Sequence, residues 1–168
     1  MDRHAGVTLL ELLMVIAIGA VLAGIAIPSL DRGLLNARRA AAMESLVRAA
    51  WFARTEALRR GRPVILCASG DGGHCAAEPN AWGGGWMVAP ADAPTLVLRR
   101  GPGATDPRAR LVANRSAFSF EPYDRRSTNG TIAWCDSRGE TAARAVVIAP
   151  TGRPRLERGA GSLGCSLP

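Results

Sequence analysis

Two arginines near the C-terminus have the side-chain type and the spacing to bind phosphate. Arg153 and Arg155 flank Pro154 and follow Gly152. Alternate side chains of an extended segment project on the same side, so both guanidinium groups would face one way. Pro154 favours an edge strand or a loop, because it has no backbone N–H. Such a pair can form bidentate contacts with neighbouring phosphates. Further arginines that could widen the patch are Arg125, Arg126 and Arg158.

One carboxylate lies inside a long apolar run. Residues 7–30 read VTLLELLMVIAIGAVLAGIAIPSL, in which Glu11 is the single charged residue. A helix of about 20 residues spans the hydrocarbon core of a bilayer, so the run is long enough to cross it. An acid near the bilayer centre costs about 2.5–3.5 kcal/mol, and less near an interface. Glu11 therefore requires a cationic partner, and a free α-amino group a few residues away would serve.

The apolar run could also be read as a secretory signal peptide. Such a peptide would have a basic start, a shorter apolar stretch and a small-x-small cleavage site. Here Arg3 is the one firm positive charge before the run, and Pro28 closes the run without such a site. The sequence therefore favours a membrane helix. Three arginines within residues 32–39 would keep that side in the cytoplasm by the positive-inside rule.

The cysteines predict the opposite compartment. Cys67, Cys75, Cys135 and Cys165 form an even set, which allows three disulfide pairings. Cys67 and Cys75 enclose a short glycine-rich segment that can turn back, and Cys165 would then pair with Cys135. The alternative is zinc binding with His74 as an additional ligand, although no spacing is Cys-x2-Cys. Disulfides would place this part of the chain in the periplasm or beyond.

The composition excludes wholesale disorder and gives little support to catalysis. The 168 residues are 48% hydrophobic and 21% charged, which suits one modest domain. The net charge is +7 and all 21 basic residues are arginines, so either an anionic partner or a general arginine bias fits. Two histidines, His4 and His74, leave little for general-base catalysis or a metal site. The glycine-rich residues 82–86 lack the Lys-Ser/Thr of a phosphate loop. We expect no enzyme activity, cofactor or metal.

A long helix followed by short strands must position these residues. Residues 31–60 have an alanine-rich apolar stripe at helical spacing, and Gly61 and Pro63 would end the helix. One helix is therefore expected from near residue 7 to near residue 60. The segment 101–110 is expected to be a loop. The β-prone runs, separated by Gly, Pro, Asn and Asp, are 63–68, 85–89, 95–99, 117–121, 131–135 and 145–149.

The N-terminus resembles the class III prepilin signal of type IV pilins and type II secretion pseudopilins. Gly6 precedes Val7, Glu11 is the fifth residue from Val7, and Pro28 lies where that family has a helix-softening proline. In that family a membrane aspartic peptidase cuts after the glycine and methylates the new N-terminus. The resemblance implies cleavage between Gly6 and Val7, N-methylation of Val7, and roles in assembly for Glu11 and Pro28. The first mature residue is usually Phe or Met, from which Val7 departs.

The rest of the chain resembles the GspH/FimT group of minor pilins. That group has a long N-terminal helix packed on a small β-sandwich-like head, which implies an α+β, type IV pilin-like fold with antiparallel strands. Its members are low-abundance subunits, often near the tip, of type IV pili or of the type II secretion pseudopilus. The similarity rests on Arg54, Glu56 and Ala57 in the alanine-rich first helix and on residues 85–86, 118–132, 134–136, 144–148 and 151–153.

The resemblance implies three parts and a location. Residues 1–6 would be the leader, residues 7–30 a transmembrane and assembly helix, and residues 31–168 a periplasmic head that includes the amphipathic helix 31–60. The protein would cross the bacterial inner membrane once, with its head in the periplasm. It would be processed by prepilin peptidase, assemble with other pilins or pseudopilins, and catalyse no reaction itself.

A second implied role concerns DNA. Residues 152–155 match the GRxR pattern, which in the FimT branch is linked to DNA binding during natural transformation. Phosphate contacts contain no base information, so binding of double-stranded DNA through Gly152, Arg153, Arg155 and Arg158 would be independent of sequence and sensitive to salt. In the alternative, these arginines aid solubility or pair with acidic faces of adjacent pilins. The two machines, secretion system and pilus, are not distinguished by the sequence.

Overall fold

The computed structural model describes residues 8–123 and 126–165. In this part of the chain one long helix, α1 (Leu9–Arg60), is followed by eight strands. The strands are β1 (Val64–Ala68), β2 (Trp86–Pro90), β3 (Arg99–Gly101), β4 (Ala109–Ala113), β5 (Ala117–Phe120), β6 (Gly130–Asp136), β7 (Arg144–Ile148) and β8 (Pro154–Arg158). Short 3-10 turns occupy Pro79–Gly83, Glu140–Ala142 and Gly161–Leu163.

The chain divides into two units, one ending at Ala37 and one beginning at Arg38. In the first unit the side chains of residues 8–34 are exposed, and most of them are apolar. By length and composition this stretch could cross a membrane. Exposure of a long apolar helix is the expected state of a segment that lipid would surround. The helix continues through Pro28 without a break.

In the second unit, α1 buries the predicted apolar stripe. Small side chains dominate this stripe, so strands can approach the helix axis closely. On the opposite face Arg48 lies 3.1 Å from Glu44, and beside the stripe Arg60 lies 2.7 Å from Glu56; both pairs have the favourable i,i+4 order. The helix ends at Arg60, and the next residue, Gly61, has a φ of +64°. The buried stripe residues, each at most 2% exposed, are Met43, Leu46, Ala49, Ala50, Ala53 and Ala57.

Two four-stranded antiparallel sheets form the rest of this unit. Their strand orders are β3-β2-β1-β5 and β4-β6-β7-β8. One core contains side chains from the helix and from both sheets, including Leu46, Phe118, Trp134 and Ile148. The expected fold, a long helix packed on an antiparallel sandwich-like head, is confirmed.

Three details of the predicted strands were wrong. The strand expected at 95–99 is largely a turn, in which Leu96 N–H donates to Ala93 O at 2.9 Å, and β3 begins only at Arg99. The loop expected at 101–110 ends earlier, because β4 starts at Ala109. No strand was assigned at β4 or β8. Both are short and contain arginine, and each is defined by its hydrogen bonds to a neighbouring strand, β6 for β4 and β7 for β8.

Candidate nucleic-acid interface and N-terminal assembly site

The two arginines of the GRxR pattern lie at the start of an edge strand. β8 is the last strand of its sheet and pairs with β7. Pro154 is its first residue and lies opposite Ile148, a position where a missing N–H is tolerated. Arg153 and Arg155 are both exposed. The sequence left an edge strand or a loop open for this segment, and the structure has the edge strand.

Gly152 shapes the turn that leads into this strand. Its N–H donates to Ala149 O at 2.8 Å, and Ala149 N–H donates to Arg153 O at 3.0 Å. The φ of Gly152 is +73°, in the left-handed region that other residues rarely adopt. A Cβ at this position would lie 2.7 Å from Arg54 Nη1 and 2.8 Å from Ser127 Oγ. The left-handed backbone conformation therefore favours glycine here, and the two close side chains add to the preference.

A groove of about 500 Å³, here called the β8 groove, joins these arginines to α1. Arg54 from the helix lines it together with Arg153 and Arg155, so three arginines share the groove. Arg155 Nε donates to Glu157 Oε1 at 2.5 Å, which neutralises part of that charge. The residues that line the groove are Trp51, Arg54, Ala149, Thr151, Arg153, Pro154 and Arg155.

Sequence reasoning missed the contribution of the helix to this groove. Arg54 was noted only as part of the family resemblance, and Trp51 was not assigned to any site. The local sequence offers one indication for each: neither residue belongs to the buried alanine-rich stripe of α1, so both side chains have to lie beside it or outside it.

The structure does not bring Arg158 together with Arg153 and Arg155. Side chains alternate along β8, so Arg158 lies on the face opposite Arg155. It is paired in register with Arg144 and lines a second groove of about 420 Å³ with Arg39 and Leu156. The proposed patch therefore does not extend to Arg158.

Of the remaining candidates, Arg126 adjoins the turn before β8. Arg126 is exposed, and the next residue, Ser127, donates its N–H to Pro150 O at 2.9 Å. Arg125 lies outside the described residues.

Buried carboxylates engage several other arginines of the head. Asp136 is fully buried, accepts hydrogen bonds from Arg138 (2.7 Å) and Trp134 Nε1 (3.1 Å), and has its pKa lowered to about 2, chiefly by Arg138. Arg108, with a smaller contribution from Arg38, holds the pKa of Asp106 well below its usual range. Arg54 and Arg153 have no such carboxylate among the described residues.

At the N-terminal end of α1, Thr8 acts as the helix cap. Its Oγ1 accepts a hydrogen bond from the N–H of Glu11 at 3.2 Å. Thr8 and Glu11 have the Ser/Thr-x-x-Glu spacing of a capping box, which sequence reasoning had not used. Glu11 thus lies in the first turn, where the helix dipole favours a negative charge. Gly6 and Val7 lie outside the described residues.

The four cysteines form two disulfides, Cys67–Cys75 and Cys135–Cys165. This is the pairing of sequence neighbours that the glycine-rich loop favoured. The second bond joins β6 to the C-terminal segment beside a cluster of buried alanines. His74, the ligand of the zinc alternative, instead has its Nδ1 2.8 Å from Asp71 Oδ2.

Comparisons with known proteins agree with these features. Residues 42–152 match the family model of the type II transport protein GspH, and residues 1–27 match the prokaryotic N-terminal methylation motif. No protein with a curated description matches the chain.

Two crystal structures of the type IV minor pilin FimU from Pseudomonas aeruginosa strain PAO1 share the fold. The structure in space group P21 is 22% identical with a TM-score of 0.58, and the match covers 76% of this chain and 95% of that one. The structure in space group P65 is 23% identical with a TM-score of 0.56, and the match covers 75% of this chain and 98% of that one.

Proposed function

This chain belongs to the GspH family, and we propose that cleavage between Gly6 and Val7 creates the α-amino group that neutralises Glu11 in the assembled filament. The protein is a non-enzymatic minor pilin or pseudopilin of a type II secretion pseudopilus or type IV pilus. It is anchored in the inner membrane before assembly, is processed by prepilin peptidase and assembles with other pilins. Position near the filament tip and N-methylation of Val7 are part of the proposal.

The position of Glu11 in the first turn of α1 supports this assignment. The new N-terminus at Val7 would lie about one helical turn before the carboxylate, within reach of a neighbouring subunit packed alongside. Placing an unpaired acid in lipid costs free energy, about 2.5–3.5 kcal/mol near the bilayer centre and less toward the end of the span where Glu11 lies. Pairing the acid with an amine removes much of that cost, and it does so only when the two subunits have the correct axial offset.

We expect Glu11→Gln to be processed normally but to enter filaments at least tenfold less often than the wild type. The amide has nearly the same volume but lacks the charge that an α-amino group requires. The measurement is the fraction of the protein in sheared filaments from the native bacterium. Glu44→Gln, which removes an exposed acid from the head, is the matched control and should assemble normally. Normal assembly of Glu11→Gln would contradict the proposed pairing.

Binding of double-stranded DNA is a second candidate function, favoured by the β8 groove. Arg54, Arg153 and Arg155 line one surface, and no carboxylate is among the lining residues. Guanidinium groups in this arrangement suit the phosphates of a nucleic-acid backbone. The sequence independence and salt sensitivity of such contacts are those expected for DNA capture.

We expect the double variant Arg153→Ala/Arg155→Ala to bind duplex DNA at least tenfold more weakly than the wild type. Each lost phosphate contact should also reduce the slope of log K against log salt by about 1. The measurement is gel retardation by the full-length mature protein in detergent over a range of salt concentrations. Arg59→Ala/Arg62→Ala removes the same charge outside the groove and should have a much smaller effect. Unchanged retardation and slope in the groove variant would exclude the DNA-binding role.

A further inference from the structure

Trp51 is exposed although the other three tryptophans of the chain are in the core. Its exposed fraction is 44%, against at most 3% for Trp82, Trp86 and Trp134. An indole is a large apolar group, and leaving it in water forgoes the stabilisation that burial would provide. A ligand or partner that covered the Trp51 ring would therefore gain binding free energy from burying it.

The surroundings of Trp51 are cationic. Arg54 follows it by three residues, so the two side chains lie next to each other on the helix. Arg153 and Arg155 complete the charged lining, and Ala149 and Pro154 contribute apolar surface. The groove volume of about 500 Å³ falls in the range of small-ligand sites. It would accommodate one flat ring together with an attached phosphate.

An exposed indole beside three arginines suits a ligand that has both a negative charge and an aromatic ring. The guanidinium groups would bind phosphate, and the indole would stack on a base. In a duplex the base faces are already stacked on one another, whereas a single strand or a frayed end presents them. Base–aromatic stacking contributes about 1–3 kcal/mol per base.

We infer that the β8 groove binds a nucleotide of single-stranded DNA, with the Trp51 ring stacked on its base and the arginines on its phosphate. The inference rests on the proposed DNA-binding role of this groove. A duplex would be held through its phosphates, whereas a single strand gains the stacked base in addition. The groove therefore prefers single-stranded DNA to a duplex of the same length.

The test compares a fluorescein-labelled oligothymidine with a duplex of equal length, each titrated with the full-length mature protein in detergent. Trp51→Ala should weaken oligothymidine binding about fivefold or more, and duplex binding by a clearly smaller factor, so that the preference for single strands is lost. Trp51→Phe should retain most of the preference, because it keeps an aromatic face. Leu58→Ala removes another exposed apolar side chain of α1, outside the groove, and is the control.

The outcomes separate this inference from the function on which it rests. Suppose that Arg153→Ala/Arg155→Ala binds neither oligothymidine nor the duplex, while Trp51→Ala binds both as tightly as the wild type. The stacking inference is then overturned and the DNA-binding role stands. If the arginine variant retains both ligands, the DNA-binding role fails and the inference fails with it. If Trp51→Ala changes no DNA affinity but lowers entry into filaments, Trp51 contacts a neighbouring subunit and the inference is overturned.

Discussion

Replacement of Gly6 by leucine is expected to leave the first six residues on the chain in essentially all molecules. The resemblance assigns the cut to a peptidase that recognises glycine, and a leucine adds a branched side chain next to the bond to be cleaved. It also removes the backbone freedom that is specific to glycine. The intact mass of the purified protein measures the outcome, since loss of residues 1–6 and addition of a methyl group both change it.

The uncleaved variant should also be absent from filaments. With the leader attached, the α-amino group lies ten residues from Glu11 and is separated from it by a polar segment that contains Asp2 and Arg3. The Glu11 carboxylate then has no amine nearby in a packed subunit, so the free-energy cost of burying its charge in the membrane is not offset. Ala5→Leu places the same side chain one residue earlier and is the matched control, for which we expect normal cleavage. Normal cleavage of Gly6→Leu would contradict the prepilin assignment of this site.

Removing the Cys135–Cys165 disulfide is expected to lower the free energy of unfolding of the head by about 3–4 kcal/mol. The two cysteines are 30 residues apart, and the loss of chain entropy in the unfolded state grows with the length of the closed loop. Cys67 and Cys75 are 8 residues apart, so their bond should contribute about 2.5 kcal/mol. The Cys135–Cys165 bond also holds the C-terminal segment against the buried alanines of β6 and β7.

The comparison is between two double variants, Cys135→Ser/Cys165→Ser and Cys67→Ser/Cys75→Ser, unfolded in urea without reductant and followed by tryptophan fluorescence. Cys135→Ser/Cys165→Ser should unfold at the lower urea concentration. Reduced wild-type protein should be less stable than either variant, because it lacks both bonds. A first variant as stable as the second would show that loop length and packing of the C-terminal segment do not govern stability here.

The long N-terminal helix was largely predictable because its determinants are local. The length of the apolar run follows from bilayer thickness, and the buried stripe from Met43 to Ala57 follows from helical periodicity. Gly61 ended the helix as expected, since a left-handed residue stops the hydrogen-bond ladder. These inferences need only residues within a few turns of one another.

The strands were predicted less completely, for a physical reason. A short strand is defined by the neighbour with which it pairs: β4 acquires its hydrogen bonds from β6, beyond the intervening strand β5, and β8 acquires its hydrogen bonds from the preceding strand β7. Their arginines weakened the β pattern that apolar alternation would have provided. Pro154 nevertheless indicated an edge position for its segment, because a proline cannot donate to a second neighbour.

The sequence by itself determined the membrane anchor, the acid within it, the long helix, the family and the pairing of the arginines at 153 and 155. Only the tertiary structure decided which side chains share a surface. Arg54 and Trp51 join Arg153 because α1 packs beside the start of β8, whereas Arg158, three residues beyond Arg155, faces the other way. Spacing along one strand sets the face of each side chain, but contacts between segments about a hundred residues apart depend on how the helix and the sheets pack together.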